Sequence, residues 1–196
     1  MNNADYISPK NIFVIGVIHG DEPMGEFFIN EYLKNKNRRL KNNLYYIPRL
    51  NFSNTRKNKN NVDINRNFPC KNWELTSFSD DYFGGFEPNS EIETQFIVGL
   101  MKEISFDAVI TIHAPYKIIN FDGENNPLTI PLAKKISDIL GYPLQKDIGY
   151  PTPGSLGTYG AERNIPVITV ECDETIPWNI IYPDFEILFK YLEEEF

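Results

Sequence analysis

The chain of 196 residues has only two cysteines, Cys70 and Cys172. They allow at most one disulfide and show no metal-binding spacing, so both read as reduced thiols. No apolar run approaches the roughly 20 residues that cross a bilayer. Residues 1–5 lack the basic n-region and apolar h-region of a secretory signal, and the expectation is a cytoplasmic protein with no membrane partner. Positive charge is also short: 19 Lys and Arg stand against 27 Asp and Glu, for a net charge of -8. Phosphate backbones call for a basic face, which argues against a nucleic-acid partner. The basic cluster at residues 34–41, with Arg38 and Arg39 inside it, reads as the solvated end of a helix. There is no repeat or linker, and the length suits a single domain with one core over residues 1–196.

Histidine is equally scarce, and the two that exist are placed alike. His19 follows the apolar run at residues 12–18, and His113 closes another at residues 108–112. Each run reads as a buried strand whose carboxyl end delivers an imidazole to the rim of an open α/β sheet, where such sheets bind ligands. Glu22 stands three residues after His19 with Pro23 behind it, a helix start. Two His and one carboxylate make a catalytic zinc set, with the fourth position left for water. A plainer reading has each His capping its strand; the pair together with Glu22 favours the metal.

A third apolar strand, residues 165–170, ends on Glu171, a carboxylate that is costly there unless paired, hydrogen-bonded or wet. Parallel strands with helical crossovers would gather His19, His113 and Glu171 on one rim. Between them, the spacing predicts a helix over 24–35, a strand over 44–47 ended by Pro48, and a mobile Asn/Lys-rich loop over 51–61. That loop leads into Asn65 and Arg66, anchored by Phe68 and Trp73. Arg66 could pair a substrate carboxylate or tie the loop to backbone carbonyls, and spacing does not choose between them. Residues 71–88 read as an ordered aromatic loop bearing on the site. Ser90 and Glu93 then form a capping box for a helix to about Ile104. A short strand over 117–121, a helix over 127–140 closed by Gly141, a shaped Gly/Pro loop over 149–157 and a last helix over 183–196 with Ile187, Leu188 and Tyr191 inward complete the order.

His19-Gly-Asp-Glu22, then Asp63-Ile-Asn65-Arg66-Asn67-Phe-Pro, then His113, then Ile-Thr-Val-Glu171 resemble, in this order, the zinc carboxypeptidase family. The resemblance implies a three-layer α/β/α sandwich with a mixed, largely parallel central sheet, and one zinc ion per chain held by His19, Glu22 and His113. It implies Glu171 as general base toward a zinc-activated water, Arg56 facing the developing oxyanion, and Asn65 and Arg66 clamping the carboxylate of the departing residue. Thr55-Arg56-Lys-Asn58, Ile112-His113-Ala-Pro and Gly149-Tyr150-Pro-Thr-Pro-Gly-Ser155 look most like the murein tripeptide amidase branch. That branch cuts the amide between γ-D-glutamate and meso-diaminopimelate in small murein peptides during cell-wall recycling. Tyr150, with Tyr159 as its competitor, would be the tyrosine that closes over substrate. Ser155, Leu156 and Thr169 are pocket candidates.

Three other readings compete, the blandest being a plain carboxypeptidase on ordinary peptides, which the lack of a secretory signal argues against. The aspartoacylase and succinylglutamate desuccinylase group shares the His/Glu pair and the Asp-x-Asn-Arg stretch, and acts on N-acyl amino acids. A non-catalytic carboxypeptidase-like peptide-binding domain should have lost a ligand or the base, and every expected residue is present.

Overall fold

The computed structural model describes residues 8–35, 40–146 and 148–196. The segment read for a secretory signal, and Arg38 and Arg39 of the basic cluster, lie outside them. Six strands form one sheet: β1 (Asn11–Gly16), β2 (Asn43–Ile47), β3 (Ala108–His113), β4 (Ile118–Asp122), β5 (Leu144–Gln145) and β6 (Val167–Glu171). Their order is β2-β1-β3-β6-β4-β5, and every pairing is parallel except β4 against β6. Ile12 and Val14 of β1 face one layer, Phe13 and Ile15 the other, and all four are fully buried, as a strand covered on both faces requires.

Helices α1 (Met24–Leu33), α3 (Thr129–Leu140) and α5 (Trp178–Glu194) cover one face through Phe28, Ile136, Phe185 and Leu188. Helices α2 (Ile92–Glu103) and α4 (Leu156–Ala161), with a 3-10 turn at Ile64–Arg66, cover the other through Ile97, Leu156 and Ile64. This is the mixed, largely parallel α/β/α sandwich expected. β3 and β6 pair in register so that His113 sits directly beside Glu171. Gly141 takes the left-handed conformation, φ 68°, that closes α3.

Several local expectations are corrected. β1 stops at Gly16, three residues before His19, because the backbone N–H groups of Leu50 and Asn51 take over the carbonyls of Gly16 and Val17 at 3.2 and 2.9 Å. Residues 51–61 are not a loose tract: Asn51, fully buried, donates to the Ile18 and Arg56 carbonyls, and Asn58 bonds Glu91. Side-chain amides there do the work of regular backbone pairing. The capping box does not form; Ser90 Oγ donates to Glu91, which occupies the cap position of α2. The Gly/Pro loop ends in α4, capped by Ser155 accepting from the Thr158 N–H. α5 begins at Trp178 and carries Pro183 inside, and Ile187 is exposed while Phe185 and Phe189 turn inward.

Candidate active site

His19 reaches the site from a strained turn rather than from the strand. Val17 holds φ 54°, a region that β-branched residues avoid, and this bend swings the chain toward the carboxyl end of β3. The turn is pinned from outside: the Gly20 N–H donates to the Thr55 carbonyl at 3.0 Å, and a Cβ at residue 20 would press on Ser53. Glu22 follows at the mouth of α1. Its Oε1 accepts from His19 Nδ1 and its Oε2 from His113 Nδ1, both at 2.8 Å, and Oε2 accepts also from the Ala114 N–H at 3.3 Å.

His19 Nδ1 and His113 Nδ1 are themselves 3.2 Å apart. That separation is close to the roughly 3.3 Å edge of a tetrahedron with arms of about 2.0–2.1 Å, the length of zinc–nitrogen bonds. Ligand atoms of His19, Glu22 and His113 lie within 4.8 Å of one another, so the donor set fits a small divalent cation. Their titration agrees. Burial opposes a charge on Glu22, yet His113 and His19 hold its carboxyl well below the usual range. Burial likewise opposes a charge on His19, but Asp63 and Glu22 outweigh it and push the ring up to about 9. His113 goes down, burial outweighing Glu22. His19 thus carries one proton more than the neutral imidazole and His113 does not, a positive charge that a bound cation would displace.

Asp63 went unassigned in the sequence and proves central. Fully buried, it accepts from His19 Nε2 at 3.2 Å on one oxygen and from Arg56 Nε and Nη2 at 2.9 Å on the other. A carboxylate on the far nitrogen fixes the tautomer that leaves Nδ1 free as a ligand. The only signal available was its place in the Asp-Ile-Asn-Arg stretch, which does not show a contact 44 residues away.

Glu171 sits opposite, 6 % exposed, with Oε2 lacking any hydrogen-bond partner. Burial and then the charge of Glu22 push it up to about 8, and His19, the Tyr116 backbone amide and Arg56 offset this in part. A carboxyl poised near neutral pH can both take and return a proton.

These groups line one cavity of about 170 Å³ together with Arg56, Asn65, Arg66, Tyr150, Ser155 and Thr169. Asn65 spends its carbonyl oxygen on the Leu156 N–H at 3.0 Å, which aims the rest of the amide at the cavity. Arg66 Nη1 donates to the Asn65 carbonyl at 2.7 Å, and both Arg56 and Arg66 lie against the Tyr82 ring, at 4.9 and 5.2 Å. Tyr82 is the one member of the aromatic loop that bears on the site this way; it also meets Tyr150. Thr169 is fixed by Thr111, and Ser155 by its role as helix cap. Two expected residues are placed elsewhere. Leu156 points into the core beneath α4 and reaches the site only through its backbone N–H. Tyr159 is fully buried under Arg163, whereas Tyr150 lines the cavity, together with Tyr116.

A zinc carboxypeptidase profile matches residues 30–152. The chain belongs to the zinc carboxypeptidase family. It is 33% identical to murein peptide amidase A of Escherichia coli K12 over 127 residues, 59% of this chain and 50% of that protein. It spans about half the length of the curated relatives it matches. The crystal structure of the murein-tripeptide amidase MpaA of Escherichia coli O157 superposes with a TM-score of 0.81 at 25% identity, over 98% of this chain and 85% of that one. A carboxypeptidase A from Helicoverpa armigera shares the fold at a TM-score of 0.73 and 16% identity, over 95% and 60% of the two chains. The family implies zinc, and the two imidazoles with one carboxylate suit that ion. Among the described residues, no helix is long and apolar enough to cross a membrane.

Proposed function

We propose that the chain is a zinc-dependent amidase that hydrolyses the bond between γ-D-glutamate and meso-diaminopimelate in small murein peptides, as part of cytoplasmic cell-wall recycling. The observation that carries the reading is the juxtaposition of Glu171, whose Oε2 has no hydrogen-bond partner, with the converging His19, Glu22 and His113 donors at one end of a cavity that holds two arginines. Likeness to murein peptide amidases supports the substrate.

His19, Glu22 and His113 would hold one zinc ion, with Asp63 orienting His19. Zinc, when bound, supplies a Lewis acid and makes a water molecule acidic enough to react near neutral pH. Glu171 accepts the proton of the attacking water and returns it to the departing amine. Arg56, held by Asp63, offers its remaining N–H groups to the developing oxyanion; loss of one such donor typically costs about 100- to 1,000-fold in rate. Arg66 and Asn65 bind the carboxylate of the departing residue, and Tyr150 closes the cavity above it.

The test is release of diaminopimelate from L-Ala-γ-D-Glu-meso-diaminopimelate by zinc-loaded protein. Glu171→Gln is expected to keep stoichiometric zinc and to lose activity by at least about a hundredfold. A near-normal rate in that variant overturns the base assignment. Turnover of N-acetyl-aspartate in place of the peptide would replace the amidase by a deacylase.

A further inference from the structure

The two arginines of the cavity are like charges set close together, and only one of them is tied to a carboxylate. Arg56 spends Nε and Nη2 on Asp63, each at 2.9 Å. Arg66 is buried, and among the described residues it has no ion pair; its side chain makes one hydrogen bond, from Nη1 to the neighbouring Asn65 carbonyl. Burial works against the Arg66 charge, Asp63 favours it, and Arg56 opposes it. A single backbone carbonyl does little to fix a guanidinium on a long, flexible stem.

One ring touches both. Tyr82 lies with its ring centre 4.9 Å from Arg56 Cζ and 5.2 Å from Arg66 Cζ, inside the distance at which a ring attracts a guanidinium. It also meets the ring of Tyr150 at 5.8 Å, and Tyr150 lines the cavity while Tyr82 does not. The segment carrying Tyr82 is fastened to the segment carrying Arg66. The Asp63 N–H donates to the Phe83 carbonyl at 2.8 Å, and a Cβ at Gly84 would overlap the Arg66 carbonyl. Asp80 closes the turn, accepting from the Tyr82 N–H at 2.8 Å on its side chain and from the Phe83 N–H at 3.2 Å on its carbonyl. Phe83 is buried, whereas Tyr82 is 40 % exposed and belongs to neither core. The backbone thus holds in place a ring that the core makes little use of.

We propose that Tyr82 is a positioning residue of this site: its ring holds the Arg56 and Arg66 guanidiniums side by side and gives Tyr150 a surface to close against. The proposal rests on the amidase reading for the reaction it serves, since Arg56 then faces the oxyanion and Arg66 the carboxylate of the departing residue. A ring attracts a cation without consuming its N–H donors, so both arginines keep theirs for substrate. A carboxylate in the place of Tyr82 would compete with the substrate oxygens for the same donors.

Two variants separate the ring from the rest of the side chain: Tyr82→Phe keeps it and Tyr82→Leu removes it. With L-Ala-γ-D-Glu-meso-diaminopimelate as substrate, Tyr82→Phe is expected to stay within about twofold of the native kcat/KM. Tyr82→Leu should lose about tenfold, through lower kcat and higher KM together, with melting temperature and zinc content as in the native protein. A lower melting temperature in Tyr82→Leu with unchanged kinetics would make the ring loop packing only and overturns the proposal. Equal loss in both variants would place the effect on the hydroxyl and overturns it as well. Proton NMR of the arginine side chains gives a readout that needs no turnover, with Arg56→Lys and Arg66→Lys supplying the assignments. Ring current should displace the Arg56 and Arg66 resonances in the native protein and in Tyr82→Phe, and the displacement should vanish in Tyr82→Leu. Resonances that follow the ring in this way, with no peptide cleaved, would retain Tyr82 as the residue that places the arginines and reject the amidase reading. Resonances indifferent to Tyr82→Leu reject Tyr82 itself.

Discussion

A carboxylate drawn part-way out of water costs the folded protein something, and Asp122, at the end of β4 in the cavity wall, allows the cost to be measured. Its folded pKa of about 6 lies above the ordinary aspartate value of 3.8. The native state therefore binds the proton more tightly than the unfolded chain between about pH 4 and 6, and stability falls as pH rises through that window. Above pH 6 the penalty is complete; below pH 4 both states are protonated and it vanishes. Glu124 and Cys70 face the same carboxylate, and Lys146 is paired with Glu124 at 3.2 Å. Asp122→Asn removes the titration, so the variant should be more stable than the native protein by about 1–2 kcal/mol at pH 7.5, a discounted share of the roughly 3 kcal/mol that a two-unit shift represents. The advantage should disappear by pH 4. Urea unfolding of both proteins at the two pH values checks it, and a variant less stable at pH 7.5 would show that the carboxylate has a structural partner. The same residue marks a limit of sequence reading. A strand expected to end at Phe121 ends at Asp122, whose side chain lines the cavity. Asp63 was missed for a different cause: its partners His19 and Arg56 are brought to it by folding, not by spacing.

Elements meet at the site through close backbone contact, and Gly16 at the end of β1 is the tightest join. A Cβ at this position would lie 2.5 Å from the Pro48 carbonyl and 2.8 Å from the Gly25 backbone, so α1 rests directly on the strand. Neither neighbour is a flexible side chain. Gly16→Ala is expected to destabilise by about 1–3 kcal/mol, the usual cost of forcing apart a packed contact. Because Glu22 lies only three residues before Gly25, the same shift should weaken zinc binding. Gly99 in α2 is the control, with open space where a Cβ would go. Gly99→Ala should stabilise by about 0.5–1 kcal/mol through helix propensity and leave zinc binding unchanged. Thermal unfolding together with a zinc titration distinguishes these outcomes; loss of stability without loss of affinity would uncouple α1 from the site. The long elements were legible because burial on both faces writes continuous apolar runs into β1, β3 and β6 and helical spacing into α1 and α3. α4 was not, since Gly157 and Gly160 lower its intrinsic propensity and the helix persists by packing Leu156 and Tyr159 into the core. The start of α5 was misplaced because Pro183 reads as a first-turn proline, whereas it sits one turn deeper.

At the scale of the molecule, the proposed ligands come from two separate pieces of chain, the turn after β1 and the end of β3, 94 residues apart. His113 is held by the sheet, in register with β6, while His19 and Glu22 ride on a turn whose conformation depends on the 51–58 loop. A cation joining them ties that loop system to the sheet, so metal binding and folding are linked. Zinc at a thousand times its dissociation constant stabilises a protein that binds it only when folded by about 4.1 kcal/mol, which for a domain of this size is roughly 8–16 °C in Tm. That shift is expected for the native protein and should be reversed by a chelator. His113→Ala should abolish most of it, since the remaining pair lacks the donor anchored to the sheet. Glu171→Gln should retain it in full, because Glu171 lies outside the converging trio. Differential scanning fluorimetry of the three proteins with and without zinc therefore sorts ligand from base without any substrate. A full zinc shift in His113→Ala would move the metal to another donor set, and loss of the shift in Glu171→Gln would make Glu171 a ligand.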